Sequence, residues 1–186
     1  MSYYPNCYNE DPCCFPRDCY RPSPIQECCN FPQPQVIVVG IIGYGSFYFT
    51  TPTTPATVAP GSAFSFPLQT VVPSGGIARQ GGTSTTTFTL AVPGIYEFSW
   101  QITTSEGLVQ IAINLGSTVH AATIVGKSTA LDQLSNTILL PVTAPGTTVQ
   151  LVVPLGSANS ATPVTTGGTN PITGNFVIKR ISTNTF

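Results

Sequence analysis

From about Ala63 onward, hydrophobic and polar side chains alternate with a period of two, the spacing that sends successive side chains to opposite faces of a β-strand. The clearest run is Ile95 to Ile102, where Tyr96, Phe98, Trp100 and Ile102 share one face and Glu97, Ser99 and Gln101 the other. Ser105-Glu106-Gly107 reads as a hairpin turn. Its return strand places Val109, Ile111, Ile113 and Leu115 on one face and Gln110, Ala112 and Asn114 on the opposite one. Phe64, Phe66 and Leu68, alternating with Ser65 and Pro67, predict an earlier strand, and Thr86 to Leu90 the next. Val119 to Val125, Leu134 to Val142, Thr147 to Val153 and Asn175 to Ile181 supply four more, parted by turns at Gly126, Pro145-Gly146 and Gly167-Gly168. The only helix candidate is Ser128 to Asn136, one or two turns long. About eight short strands within about 120 residues predict an all-β fold, an antiparallel two-sheet sandwich.

The first third of the chain reads differently. All six cysteines, Cys7, Cys13, Cys14, Cys19, Cys28 and Cys29, fall among Pro5, Pro12, Pro16, Pro22 and Pro24. Each proline removes a backbone donor, so a core helix or central strand is not expected there. Val36-Ile37-Val38-Val39-Gly40-Ile41-Ile42 is β-branched enough to form a strand and needs an apolar partner. That partner is its own head, or a neighbouring copy whose sheet or groove accepts the segment. Thr50 to Thr57 is a Pro-rich linker, too poor in apolar residues to pack. The expected organisation is a Cys/Pro-rich connector (1–35), an apolar docking segment (36–49), a Thr/Pro linker (50–60) and a sandwich head (61–186). Residues 30–60, at about 3.3 Å each, span on the order of 100 Å. A head of about 120 residues has a radius of gyration of about 14 Å, so reaching a neighbour is easy.

Charge changes the functional picture. Asp, Glu, Lys and Arg make up 7% of the 186 residues, against about 25% in an average soluble protein. Six of these charges lie within the first 29 residues; beyond them stand only Arg79, Glu97, Glu106, Lys127, Asp132, Lys179 and Arg180. No basic face exists to neutralise phosphates or anionic lipid headgroups, which excludes nucleic acid and a charged membrane surface as partners. The longest apolar run, Val36 to Phe49, is broken by Gly40, Gly43 and Gly45 and is shorter than the ~18 residues of a membrane-spanning helix. Met1 to Cys7 has neither a basic leader nor an apolar signal core. With 27 Thr, 17 Gly and 18 Pro the chain favours strands and turns, and 41% hydrophobic residues are enough to bury a core rather than leave it disordered.

Candidate chemistry is sparse. His120 is the only histidine, and its apolar neighbours make it a strand-surface or interface imidazole rather than a catalytic base. No Gly-X-Ser-X-Gly or phosphate loop occurs, and Gly75-Gly76 and Gly81-Gly82 read as turns. The cysteines contain no Cys-x2-Cys pair, which weakens a zinc reading. Adjacent pairs such as Cys13-Cys14 and Cys28-Cys29 seldom bond to each other and point to different partners. We therefore expect no enzyme, no metal and no cofactor, and the six cysteines as intermolecular crosslinks of the connector. No Asn-X-Ser/Thr acceptor is present; O-linked sugars on Thr50, Thr51, Thr53, Thr54 or Thr57 are chemically feasible.

Thr87-Phe88-Thr89-Leu90-Ala91-Val92-Pro93-Gly94-Ile95-Tyr96-Glu97-Phe98-Ser99-Trp100 resembles the strand-turn-strand signature of the compact trimeric heads of tumour necrosis factor and the globular complement family. Gly167-Gly168-Thr169-Asn170-Pro171 followed by Phe176-Val177-Ile178 resembles the C-terminal head of the collagen-like exosporium glycoproteins of the BclA type, over residues 60–182. The resemblance implies a TNF-like jelly roll, a homotrimer, and a place on the spore surface, in the exosporium or an appendage, beside other spore-surface proteins. It also implies synthesis inside the mother cell, where no secretory signal is needed and later exposure allows disulfides. Unlike those relatives the chain has no Gly-X-Y stalk. The expected role is a trimeric subunit that its connector joins into a disulfide-stabilised fibre or layer. The alternative is a trimeric head that binds a receptor or carbohydrate.

Overall fold

The computed structural model describes residues 40–50, 56–164 and 171–183. The connector cysteines and Val36 to Val39 lie outside the described residues, as does the Gly167-Gly168-Thr169-Asn170 motif. The described chain is all β, with eleven strands in two antiparallel sheets and two single turns of 3-10 helix, Gln80–Gly82 and Ala121–Thr123.

The first sheet is built from long strands: β1 (Gly43–Thr50), β2 (Leu68–Gln69), β5 (Gly94–Thr104), β9 (Asp132–Val142) and β11 (Ile172–Ser182), in the order β2-β1-β11-β5-β9. The second uses shorter ones: β3 (Ile77–Arg79), β4 (Phe88–Leu90), β6 (Val109–Leu115), β7 (Thr118–Val119), β8 (Val125–Lys127) and β10 (Thr147–Val152). Its order is β3-β4-β10-β6-β7, with β8 also paired to β6. The first and last strands, β1 and β11, sit side by side, so the first sheet closes only through contacts spanning the whole described chain.

Period-two patterning accounts for the core. Phe47, Tyr96, Phe98, Ile102, Phe176 and Ile178 of the first sheet, and Phe88, Leu90, Ile111, Ile113, Val149 and Leu151 of the second, are all 0% exposed. Aromatic rings knit the two layers, with Phe47 stacked on Phe88 at 4.0 Å between centroids and Phe88 edge-on to Phe176 at 5.8 Å. The Arg79 guanidinium lies 5.0 Å over the Phe47 ring and donates to the carbonyls of Phe66 (2.8 Å), Ser84 (3.0 Å) and Leu68 (3.2 Å). Burial lowers its pKa; with no carboxylate hydrogen-bonded to it among the described residues, this cation clamps residues 66–69 and Ser84 to β3.

Several sequence expectations need correction. Ser105-Glu106-Gly107 does not turn a hairpin, because β5 and β6 belong to different sheets. The turn carries the chain across the sandwich. Glu106 ties it to Thr162, whose N–H donates to Oε2 at 2.7 Å, and Ser105 donates its N–H to Thr162 O. The helix candidate 128–136 is absent: Leu131 has φ 55°, a reversal, and β9 starts at Asp132. Leu131, Leu134 and Ile138 mimic helical spacing, but Leu134, Leu140 and Val142 point inward at period two. The strand expected over 119–125 breaks into β7, the 3-10 turn and β8. Phe64 and Phe66 enter the core while Leu68 stays exposed, so that run yields only the short β2. Ala112, assigned to a polar face, is buried.

The apolar stretch 36–49 divides at Gly43. From there β1 pairs with β11 inside its own head, so the head begins before the linker. A Cβ on Gly43 would come within 2.9 Å of the Gly75 carbonyl, and Gly75 itself has φ +65°, which together explain why the entry to β1 uses glycines. The linker is shorter than expected. Thr50 is in β1, and Val58 is buried and exchanges both backbone hydrogen bonds with Ala161.

Candidate assembly surface

No group of three or more His, Cys, Asp or Glu that could hold a metal is found among the described residues. The chemistry of this head lies in its surfaces. Register across the first sheet aligns its outward side chains in three rows: Tyr44, Lys179, Glu97, Leu139; Ser46, Val177, Ser99, Thr137; and Tyr48, Asn175, Gln101, Ser135. The only charges in these rows are Lys179 and Glu97, which neutralise each other across 2.7 Å. In the middle row Thr137 donates to Ser99 Oγ at 3.0 Å, and around it a shallow polar depression of about 410 Å³ is lined by Ser99, Gln101, Ser135, Thr137, Asn175 and Val177. Beside it runs β9, eleven residues long, with no strand paired to its second edge among the described residues. A long strand edge whose only charge, Asp132, and only proline, Pro141, stand at its two ends leaves the stretch between them open to pairing with another chain.

The second sheet finishes its own edge. Residues 118–127 run along β6 and pair with it through β7 and β8, and between these strands Thr123, fully buried, accepts the Ile113 N–H at 2.8 Å and donates to the His120 carbonyl at 2.7 Å. Nearby, Gln150 accepts from Asn114 (3.1 Å) and donates to Thr87 (2.8 Å).

His120 lies just before the 3-10 turn rather than on a strand surface, half-buried, with its Nδ1 buried and unpartnered. Tyr96 and Trp100 are 0% and 1% exposed, and Tyr96 donates to the Val92 carbonyl at 2.6 Å. Burial raises the Tyr96 pKa, against an opposing pull from the nearby Arg180 charge. Neither ring can stack on a bound sugar. Arg180, 9% exposed, donates to the Pro93 carbonyl at 3.0 Å and has no acidic partner among the described residues. For Glu106, burial pushes the pKa up, but hydrogen bonds from Thr162 and Ser105 outweigh it and hold the carboxyl below its ordinary value. Burial lowers the Lys127 pKa, opposed by Asp132 and Glu106; its Nζ donates to the carbonyls of Thr104 (2.8 Å) and Asp132 (2.7 Å).

A second feature was not legible. An open groove of about 410 Å³ lies where β1 ends, lined by Phe49, Val58, Ala63, Phe64, Pro67 and Pro163 and their small neighbours. None of its lining residues is charged. Five of its twelve lining residues come from the 50–60 linker, and the signal for it was Val58, an isolated apolar residue between prolines.

No protein-family model matches the chain, and no curated protein is similar to it in sequence. Solved structures are. The chain is similar to the PRD1 vertex protein P5, with 16% identity, 76% of this chain and 99% of that one covered, and a TM-score of 0.50. It is similar to murine APRIL at 12% identity, 74% and 98% coverage and a TM-score of 0.51. The globular domain of zebrafish complement 1qA aligns at 13% identity over 74% of this chain and 94% of that one, with a TM-score of 0.49. The head is a TNF-like jelly roll.

Proposed function

We propose that this chain is a non-enzymatic structural protein of the bacterial spore surface. Its heads associate as a homotrimer through the outer face of the first sheet and the free edge of β9. The Cys-rich connector then joins trimers into a disulfide-stabilised fibre, an endospore appendage, or an exosporium layer. The observation that carries the reading is the pairing of a charge-neutral sheet face with a long strand edge that has no strand partner among the described residues. A solitary soluble particle would ordinarily guard both with charge. A closed three-fold assembly hides each against a copy of itself.

The BclA-type resemblance supports the spore setting, and the confinement of all cysteines to the connector supports crosslinking between trimers rather than within the head. The receptor- or carbohydrate-binding alternative has lost its best platform with the burial of Tyr96 and Trp100. Purified full-length protein heated in detergent is expected to stay polymeric without reductant and to release monomer with it. Monomer without reductant would overturn the crosslinked assembly. In the electron microscope, fibres are expected from the full chain and not from a chain lacking residues 1–39, a deletion that spares β1.

A further inference from the structure

We infer that the apolar groove at the Thr50 end of β1 is the receptor for the segment Val36–Ile42 of a second copy, so that heads join in head-to-tail order. The inference rests on the connector reading above and names the surface that the connector meets.

The geometry of β1 motivates it. The connector enters the head at the Gly43 end of this strand, where the Ile42 N–H donates to the Arg180 carbonyl at 2.8 Å. The groove lies at the other end, against Phe49 and Thr50. Eight strand residues separate the two ends by about 24 Å. Gly40–Ile42 therefore stand at one pole of the described head and the groove at the other, which is the arrangement of a heterologous contact that propagates rather than closes. A chain's own Val36–Ile42 would have to double back along the whole of β1, and seven residues at about 3.3 Å each would bring only its far end to the rim. A neighbour stacked pole to pole meets the groove directly.

The chemistry matches. Groove and segment are both free of charge. The groove floor is Phe49, Val58 and Phe64, at 7%, 9% and 1% exposure. Its volume, about 410 Å³, lies within the ~300–1,000 Å³ range of pockets that bury a bound group. The segment's backbone also has somewhere to go. The second edge of β1 is occupied from Tyr44 to Tyr48, by a bridge to Ser74, by Thr70 donating to the Ser46 carbonyl and by β2; only at Phe49 and Thr50, beside the groove, does it lack a strand partner among the described residues, so an added segment can pair there. Ile41, 63% exposed on its own head, would gain the burial it lacks.

The test uses the full-length protein. Val38 is replaced by the photo-crosslinking residue benzoylphenylalanine, assembled fibres are irradiated, and crosslinked peptides are mapped. The expected product joins the segment of one chain to residues 56–67 of another. Links confined to one chain, links to β9, or no link to 56–67 would overturn the assignment. In parallel, Ala59→Arg with Ser62→Arg places charge at the exposed rim. Fibre length is expected to fall at least tenfold while trimers persist, and Val72→Arg, on an exposed side chain outside the groove, is expected to leave length unchanged. Wild-type fibre length in the rim variant would sink the groove while leaving the connector standing. Fibres that survive removal of residues 1–39 would sink the connector itself.

Discussion

The two sheets of this head share one core and differ at their edges. The six-stranded sheet is made of short strands, and residues 118–127 run along the edge of β6, pairing with it through β7 and β8 and burying Thr123 completely. The five-stranded sheet has three strands of eleven residues, and the second edge of β9 has no strand partner among the described residues. One sheet is completed by local sequence and the other is left to be completed by another molecule. Outward residues of the second kind are small, polar and uncharged, such as Ser99, Thr137 and Ser46, so they can be desolvated at low cost if they find hydrogen-bond partners across an interface.

That contrast can be broken at either face. The largest effect is expected from Ser99→Arg with Val177→Arg in the middle row of the open sheet. Two unpaired cations there should abolish the trimer outright in sedimentation equilibrium, while the monomer's thermal stability stays within about 0.5 kcal/mol. A variant that remains trimeric would show that this face is not the contact.

Trp100→Ala, beneath the same face, should cost about 3–5 kcal/mol in denaturant unfolding of the head, because the indole is 1% exposed and leaves a cavity. On the covered sheet Thr123→Val should cost about 1–3 kcal/mol by stranding the Ile113 N–H, without altering oligomeric state. A change in assembly from this substitution would erase the distinction between the two faces.

The smallest effect concerns acid. Glu106 has a depressed pKa in the folded head, so its stabilisation is present above the ordinary carboxylate pKa and is lost as pH falls through the folded value. Between about pH 5 and about pH 3 the thermal midpoint of the native protein should fall more steeply than that of Glu106→Gln. Parallel curves would show that the Thr162 tie contributes nothing.

How much of this was readable beforehand depended on range. Alternation along β5, from Tyr96 to Ile102, needs only neighbours two residues apart, and the core faces it predicted are the ones observed. The outward polarity of Glu97, Ser99 and Gln101 was legible in the same way, although nothing along the chain said that Lys179 would stand opposite Glu97. The crossing at 105–107 was misread because a Gly-containing turn between two alternating runs looks the same whether the next strand pairs with the last or leaves for the other sheet. What separates the cases is Thr162, more than fifty residues away. The segment at 128–136 failed for a related reason: Leu131, Leu134 and Ile138, spaced three and four apart, satisfy a helix locally, and only the eleven-residue pairing with β5 selects the strand.

Composition and periodicity alone were sufficient for the class of fold and the aromatic core, since each follows from residue type or from spacing within one strand. Which sheet each strand joined, which face was left bare, and the groove assembled from β1, a supposed linker and Pro163 came only with the folded chain. Those features depend on residues brought together from distant parts of the sequence, and hydrophobic burial, being non-directional, does not specify such partners in advance.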